Sequence, residues 1–149
     1  MDEAGDRGAG SAGGEVWLTD WMEVGSGLVE QFADLTEDWN PIHVDEDAAR
    51  ASGLSGTIAH GFLLVSLLAP LLADSGHPLG DEPNLLNYGF DSLRFIAPVP
   101  TDSRIRARFR EAGRERVKTG LRITLDVEIE VEGGERPAMV ARWVLLKRG

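Results

Sequence analysis

The segment HGFLLVSLLAPLLAD, residues 60–74, decides the fold, because it contains the most apolar run of the chain. Apolar side chains fall on every side of a helix with this sequence, and such a helix is usually buried in the centre of a protein. Pro70 is expected to kink this helix or to mark its last turn. The apolar run, residues 62–73, has 12 residues. A membrane-spanning helix needs about 20, so the segment predicts a core helix and no contact with a membrane.

The chain changes its hydrophobic period after this helix. A strand is predicted at Leu86–Ile96, which ends close to two prolines. In residues 105–109 and 117–131, apolar side chains occupy nearly all odd positions and polar side chains nearly all even ones. This alternation is typical of an antiparallel sheet with one buried face. Breaks at residues 112–115 and 133–134 predict hairpin connections, and the last strand is predicted at Ala138–Lys147.

The segments before residue 60 predict shorter elements. Residues 16–24 are predicted to be a short strand or a lead-in segment, and the helical spacing of apolar side chains predicts a helix over Leu28–Leu35. This helix ends before Asn40–Pro41, because the residue before a proline is disfavoured in a helix. A second short helix is predicted within residues 45–51. Helices followed by strands indicate the α+β class, with a sheet wrapped around one central helix.

Length and composition predict a single domain over residues 15–149, because domains commonly contain about 100–200 residues. Residues 1–14 are rich in glycine and acidic, which predicts a disordered tail rather than a signal peptide. The chain has no cysteine, which excludes disulfides, thiolate metal sites and a cysteine nucleophile. This composition fits a reducing compartment and therefore a cytoplasmic location.

The charge is negative overall and unevenly distributed. A net charge of -10 argues against a nucleic-acid partner, which requires a basic surface. Residues 1–50 have a net charge of -11, whereas residues 103–149 have +5. Four arginines alternate along one predicted strand: Arg104, Arg106, Arg108 and Arg110. They are either a solvated strand face or contacts for an anionic ligand, and both interpretations remain open here.

The stretch LTEDWNPIHVDED, residues 35–47, concentrates groups that catalysis uses. Asp38 and His43 are separated by the turn-forming pair Asn40–Pro41, so the chain can fold back and direct both side chains to one point. A carboxylate and an imidazole that converge on a water molecule can deprotonate it and return a proton to the substrate. The alternative is structural, with Asp38 capping a helix end and His43 serving as an ordinary polar residue.

The second candidate is the start of the apolar helix, where His60 precedes Gly61. A glycine there lets a ligand approach the backbone, and free N–H groups at a helix start can bind an oxyanion. Ser66 is a lone hydroxyl farther along the helix. Its alternative role is a hydrogen bond to a carbonyl one turn earlier, and His60 has a purely structural alternative as well.

The spacing of acidic and histidine residues does not support a metal site. In a calcium loop that begins at Asp38, the glycine and glutamate positions would be occupied by His43 and Ala49. A zinc site lacks the HExxH pattern, because the three histidines lie at 43, 60 and 77. We therefore expect neither a metal nor a cofactor.

Together these motifs resemble the MaoC-like dehydratases, the family of the (R)-specific enoyl-CoA hydratases. The hydratase motif D-x-N-P-x-H-x-D is matched by residues 38–45, and the helix-entry motif H-G-x-L-x-x-S-L by residues 60–67. Residues 87–89 and 93–100 are similar to the nodulation-protein-N-like branch. The resemblance covers residues 15–147. One departure is Glu37, which stands where many members have glycine.

The resemblance implies a hot-dog fold, in which a curved antiparallel sheet wraps around a central helix and two subunits pair edge to edge as a homodimer. Asp38 and His43 match the catalytic dyad, which adds water to a trans-2-enoyl thioester of coenzyme A or acyl carrier protein. The Gly61 N–H would polarise the thioester carbonyl. The expected supporting residues are Asn40, His60 and Ser66, and the expected contacts of the coenzyme A phosphates are Arg104, Arg106 and Arg108.

Two other functions remain possible on the same scaffold. A thioesterase would use water at the carbonyl carbon of the thioester rather than at C3, although the motif around Asp38 and His43 argues against it. A non-catalytic acyl-ligand-binding module would retain the fold without the reaction. The intact set of candidate residues makes this second alternative the weaker one.

Overall fold

The structure is a computed structural model of the chain and describes residues 14–149. Apart from Gly14, the predicted tail lies outside the described residues. The helices are α1 (Ser26–Thr36), α2 (Pro41–Val44), α3 (Glu46–Ala51), α4 (Gly61–Ser66) and α5 (Leu68–Asp74), followed by a 3-10 helix at Pro78–Asp81. The strands are β1 (Val16–Leu18), β2 (Met22–Val24), β3 (Leu85–Phe95), β4 (Ser103–Val117), β5 (Gly120–Val131) and β6 (Met139–Arg148).

One antiparallel sheet contains all six strands. The strands lie in the order β1, β4, β5, β6 and β3. Strand β2 also pairs with β4, at residues 103–105, whereas β1 pairs with residues 108–110. The predicted strand at residues 16–24 is thus two short strands that share one neighbour. The sheet curves around α4 and α5, so the predicted α+β domain with a central helix is confirmed. None of the helices in the described residues is long and apolar enough to cross a membrane.

The core forms between the central helices and the concave face of the sheet. The alternating pattern correctly identified this face, because the odd-numbered residues in the middle of the two strands, 105–109 of β4 and 123–129 of β5, are buried. Burial of one large aliphatic or aromatic side chain contributes about 1.5–3 kcal/mol. The helix contributes Leu63, Leu64, Leu68, Leu71 and Leu72, and the sheet contributes Ile105, Phe109, Ile123, Leu125, Ile129, Met139, Trp143 and Leu145.

The central helix is interrupted, and only one side of it is covered. The break lies at Leu67, between α4 and α5. Pro70 is the third residue of α5, and a proline ring clashes with the carbonyl four residues earlier, here Ser66. An interruption caused by Pro70 was therefore predicted, but its position at Leu67 was not. Phe62 is 71% exposed, so the prediction that every side of the helix is buried is wrong for the single chain.

The hairpin predicted at residues 112–115 is also wrong. Strand β4 continues to Val117, with a register shift between Glu111 and Gly113. A glycine inside a strand often marks such a bulge rather than a turn. The chain reverses at residues 118–119, where Val117 pairs with Gly120. The turn predicted at residues 133–134 is confirmed.

Candidate active site

The loop after α1 brings Asp38 and His43 together. Helix α1 is followed by Glu37, whose φ of 59° is left-handed and turns the chain sharply. The side-chain oxygen of Asn40 then accepts a hydrogen bond from the Ile42 N–H at 3.4 Å and caps α2. The expected turn is therefore a short helix. His43 lies on this helix, facing the loop that contains Asp38.

The segment at residues 57–59 forms the opposite wall of the site. Two backbone hydrogen bonds hold it against residues 99–101. The Ala59 N–H donates to the Val99 carbonyl at 2.8 Å, and the Thr101 N–H donates to the Thr57 carbonyl at 2.9 Å. The Ile58 N–H also donates to the Ile42 carbonyl at 3.1 Å. These bonds place the Ile58 carbonyl beside the imidazole of His43.

Three titratable side chains meet at this point. A carboxylate oxygen of Asp38 and a ring nitrogen each of His43 and His60 lie within 4.8 Å of one another. His43 Nδ1 is 2.7 Å from the Ile58 carbonyl oxygen. A carbonyl only accepts hydrogen bonds, so Nδ1 carries the proton and Nε2 of the neutral ring has a free lone pair. His43 is therefore oriented to act as a base through Nε2.

The two imidazoles are stacked, with ring centroids 3.8 Å apart and planes inclined by 25°. Lone pairs lie in the ring plane, so two nearly parallel rings do not direct their lone pairs to one point. This arrangement is unfavourable for joint coordination of one ion by His43 and His60. A water molecule between the Asp38 carboxylate and His43 requires no such convergence.

The environment favours the neutral form of His43. Burial lowers the pKa of this imidazole, the hydrogen bond to Ile58 opposes that effect, and the nearby His60 adds a further decrease. The negative charge of Asp38 raises the pKa, but its effect is the smallest. The net decrease keeps His43 available as a proton acceptor at neutral pH.

A cavity of about 320 Å³ adjoins the dyad. His43 and Gly61 both line it, and most of the other lining residues are apolar, among them Ile58, Leu64, Phe95 and Val99. A Cβ atom at Gly61 would lie 2.8–3.0 Å from three ring atoms of Phe95. Only glycine fits there without displacing that ring. The first N–H groups of a helix lack partners within it, so the Gly61 N–H is available to a ligand.

The predicted supporting residues are not all in one place. Asn40 caps α2, and His60 stacks on His43. Ser66 donates a hydrogen bond to the Phe62 carbonyl at 2.8 Å, which is the structural alternative that the sequence left open. Ser66 also lines a different cavity, together with Trp143.

The three arginines considered as phosphate contacts are paired with acidic residues of β5. Arg104 makes two hydrogen bonds to Glu132, at 2.5 and 2.6 Å. Arg106 and Arg108 both contact Glu130, at 2.7 and 3.2 Å. All three lie on the convex face of the sheet, since the residues between them are buried. A phosphate would have to compete with these glutamates.

The geometry and motifs agree with a comparison against known families. The family model described as MaoC like domain matches residues 9–133. The chain belongs to the MaoC-like family. It is 39% identical over 136 residues to nodulation protein N of Rhizobium leguminosarum bv. viciae, covering 90% of this chain and 84% of that protein.

A further relative and a solved structure are also similar to this chain over most of their length. The 3-hydroxyacyl-thioester dehydratase Z of Mycobacterium tuberculosis is 38% identical over 138 residues, covering 92% of this chain and 91% of that protein. The solved (R)-hydratase of A. caviae involved in PHA biosynthesis superposes with a TM-score of 0.74 and 29% identity, covering 89% of this chain and 94% of that one. The hot-dog fold implied by the resemblance is therefore confirmed.

Several residues of the site were not found from the sequence. Ile58 acts through its backbone carbonyl, so its side chain gives no signal. Glu46 accepts a hydrogen bond from the Thr57 hydroxyl at 2.9 Å and ties α3 to the wall of the site. Phe95 contacts Gly61, and a signal was present, because Phe95 belongs to the L-R-F sequence that resembles the family.

Proposed function

We propose that the protein is an (R)-specific enoyl-CoA hydratase, a hydro-lyase that adds water to trans-2-enoyl thioesters or removes it from (3R)-hydroxyacyl thioesters. The observation that supports this most directly is the position of His43. One of its ring nitrogens lies within 4.8 Å of a carboxylate oxygen of Asp38, and its side chain lines the cavity that contains Gly61. The names of the similar dehydratase and hydratase support the same reaction class.

In the hydration direction, the dyad holds a water molecule at C3 of the substrate. His43 Nε2 accepts a proton from the water as its oxygen bonds to C3, and electron density moves through C2 towards the thioester oxygen. The Gly61 N–H stabilises that oxygen, and the proton is returned to C2. Acid–base catalysis of this kind contributes a factor of about 10²–10⁴, and one oxyanion donor about 10²–10³.

The supporting residues act indirectly in this proposal. Asn40 fixes the start of α2, His60 contacts both members of the dyad, and Ser66 shapes the exposed side of the central helix. The substrate carrier is coenzyme A or acyl carrier protein. Phosphate contacts from Arg104, Arg106 and Arg108 remain part of the proposal, and charge reversal of Arg106 and Arg108 should then raise KM. An unchanged KM would assign these arginines to the ion pairs alone.

We further propose a homodimer that works in the cytoplasm. Strand β3 forms one edge of the sheet, and exposed apolar side chains lie along it, at Leu86, Tyr88 and Phe90. Pairing of two β3 strands would cover this edge and the open side of the central helix. The absence of cysteine supports a reducing compartment.

The loss of absorbance of a trans-2-enoyl-CoA upon hydration tests the reaction. The wild type should show turnover, and Asp38→Asn and His43→Ala should each lower kcat/KM by about 10²-fold or more. Asp47→Asn is the matched control, because Asp47 has a fully exposed side chain and should retain activity. Full activity in Asp38→Asn would contradict the assignment of the dyad.

The two alternatives give different results in the same experiment. A thioesterase would release free thiol from an acyl-CoA without hydrating an enoyl-CoA. A non-catalytic module would bind the acyl-CoA and leave it unchanged. Either result would replace the proposed hydratase.

A further inference from the structure

We propose that His60 is a positioning residue that fixes both members of the dyad at once. This inference rests on the proposed hydratase function, because it assigns His60 a role in that reaction. His60 is 2% exposed, and its ring nitrogens lie beneath the site rather than in the adjoining cavity, whose lining does not include it. It therefore acts on the reaction through Asp38 and His43.

The first contact fixes the backbone of Asp38. His60 Nε2 lies 2.9 Å from the Asp38 carbonyl oxygen. The carbonyl can only accept, so Nε2 carries the proton and donates. Asp38 is exposed and lies in a loop between α1 and α2. This hydrogen bond ties that loop to the start of the central helix, 22 residues later.

The second contact fixes the ring of His43. The two imidazoles are stacked 3.8 Å apart, and the rings of Phe32 and His60 pack in an edge-to-face arrangement, with centroids 5.0 Å apart. His60 is thus held by Phe32 and supports His43. The Ile58 carbonyl restrains one nitrogen of His43, whereas the stack restrains the plane of its ring. Together the two contacts direct Nε2 of His43.

A structural role alone does not explain why this residue is a histidine. With Nε2 protonated, Nδ1 of the neutral ring is an acceptor, and within residues 14–149 it is buried without a partner. A buried polar atom without a hydrogen bond is destabilising. An aromatic hydrocarbon ring would fill the same space without this cost. The imidazole provides what such a ring lacks, which is a stacking surface and an N–H donor in one side chain.

Two substitutions separate the two contacts. His60→Gln retains a donor for the Asp38 carbonyl and loses the stack. His60→Phe retains the stack and loses the donor. We expect each variant to lower kcat for enoyl-CoA hydration about tenfold or more, with KM changed less than twofold. The decrease in kcat should not be accompanied by a matching decrease in the midpoint of thermal unfolding. His60→Phe should unfold at a temperature similar to that of the wild type.

A double substitution tests whether His60 acts through His43. In a His43→Ala background, His60→Gln, the variant that loses the stack, should cause no further decrease in kcat, because residues that act as a unit are not additive. Decreases that multiply, or an unchanged kcat in both single variants, would overturn the proposal.

Nuclear magnetic resonance of the His43 ring gives a second readout that does not require turnover. The proposal predicts that the proton of neutral His43 moves partly from Nδ1 to Nε2 in His60→Gln, since the ring plane is no longer fixed. In His60→Phe the pKa of His43 should rise, because His60 no longer lowers it. An unchanged tautomer and pKa would overturn the positioning role. An inactive wild type would instead refute the hydratase function, and the resonance result would still decide the role of His60.

Discussion

At the scale of single residues, the site depends on backbone carbonyls as much as on side chains. The Ile58 carbonyl fixes the proton of His43 on Nδ1, and the Asp38 carbonyl fixes the proton of His60 on Nε2. Each ring is thereby held in one tautomer. The sequence identifies the two histidines, but the carbonyls that orient them come from chain segments 15 and 22 residues away. Residue types therefore indicate the chemistry of the site, and the fold determines which nitrogen performs it.

Glu37 is the residue where the chain departs from the pattern of its family, and its conformation explains that pattern. Its φ of 59° lies in the left-handed region, which costs a residue with a Cβ about 1–2 kcal/mol and glycine much less. Its carboxylate also lies at the C-terminus of α1, where a negative charge is unfavourable. We expect Glu37→Gly to stabilise the protein by about 1 kcal/mol, which corresponds to an increase of about 2–4 °C in Tm.

Glu37→Ala separates the two causes of this stabilisation. Both substitutions remove the carboxylate, but only glycine relieves the backbone. Thermal unfolding should therefore place the Tm of Glu37→Gly above that of Glu37→Ala. Equal values for the two variants would show that charge, and not backbone conformation, accounts for the effect.

At the scale of elements, strands and helices were predicted well from periodicity, whereas their interruptions were not. Strand β3 was predicted within one residue at each end, and the buried face of β4 and β5 was correct. The bulge at Gly113 and the turn at residues 118–119 were missed. Alternation reports which face is buried, but a glycine inside a strand is compatible with either a bulge or a turn. Pairing with β5 decides between them, and such pairing is a long-range property.

The 3-10 helix after α5 has a pH-sensitive cap. His77 Nδ1 accepts a hydrogen bond from the Leu79 N–H at 3.1 Å, so this nitrogen is unprotonated in the folded protein. Burial is the main cause of a lower pKa for His77. The unfolded chain therefore binds a proton more readily. The stabilising contribution of the neutral ring is present above the ordinary pKa of about 6.5 and is lost as the pH falls below it.

Denaturant unfolding at several pH values between 7.5 and 5.5 measures this effect. His77→Asn retains an acceptor for the Leu79 N–H but does not titrate, so its unfolding free energy should fall less on acidification than that of the wild type. His77→Ala removes both the titration and the acceptor, and should be less stable than His77→Asn at every pH. An equal pH dependence in the wild type and His77→Asn would contradict the prediction.

At the scale of the whole molecule, the net charge of each segment can be counted from the sequence, but the ion pairs that these charges form could not be predicted from it. The segment 103–149 has a net charge of +5, yet many of its arginines pair with acids across the sheet. These pairs join Arg104 to Glu132, Arg106 to Glu130, Arg122 to Glu115 and Arg142 to Asp126. They depend on the register of β4, β5 and β6, which no local pattern specifies. The family motifs, in contrast, are local, and they predict Asp38, His43 and Gly61 as site residues without any knowledge of register.

The two edges of the sheet give a matched test of the proposed dimer. Leu86 on β3 is 46% exposed and Leu18 on β1 is 43% exposed, so the same substitution at each has a similar cost in the single chain. A twofold interface at the β3 edge would bring two copies of Leu86→Glu close together, with repulsion and a loss of apolar contact. Sedimentation equilibrium should show a dimer for the wild type and for Leu18→Glu, and for Leu86→Glu a dissociation constant at least about tenfold higher, or about 1.4 kcal/mol. A monomeric wild type, or dissociation caused by Leu18→Glu instead, would show that β3 is not the interface.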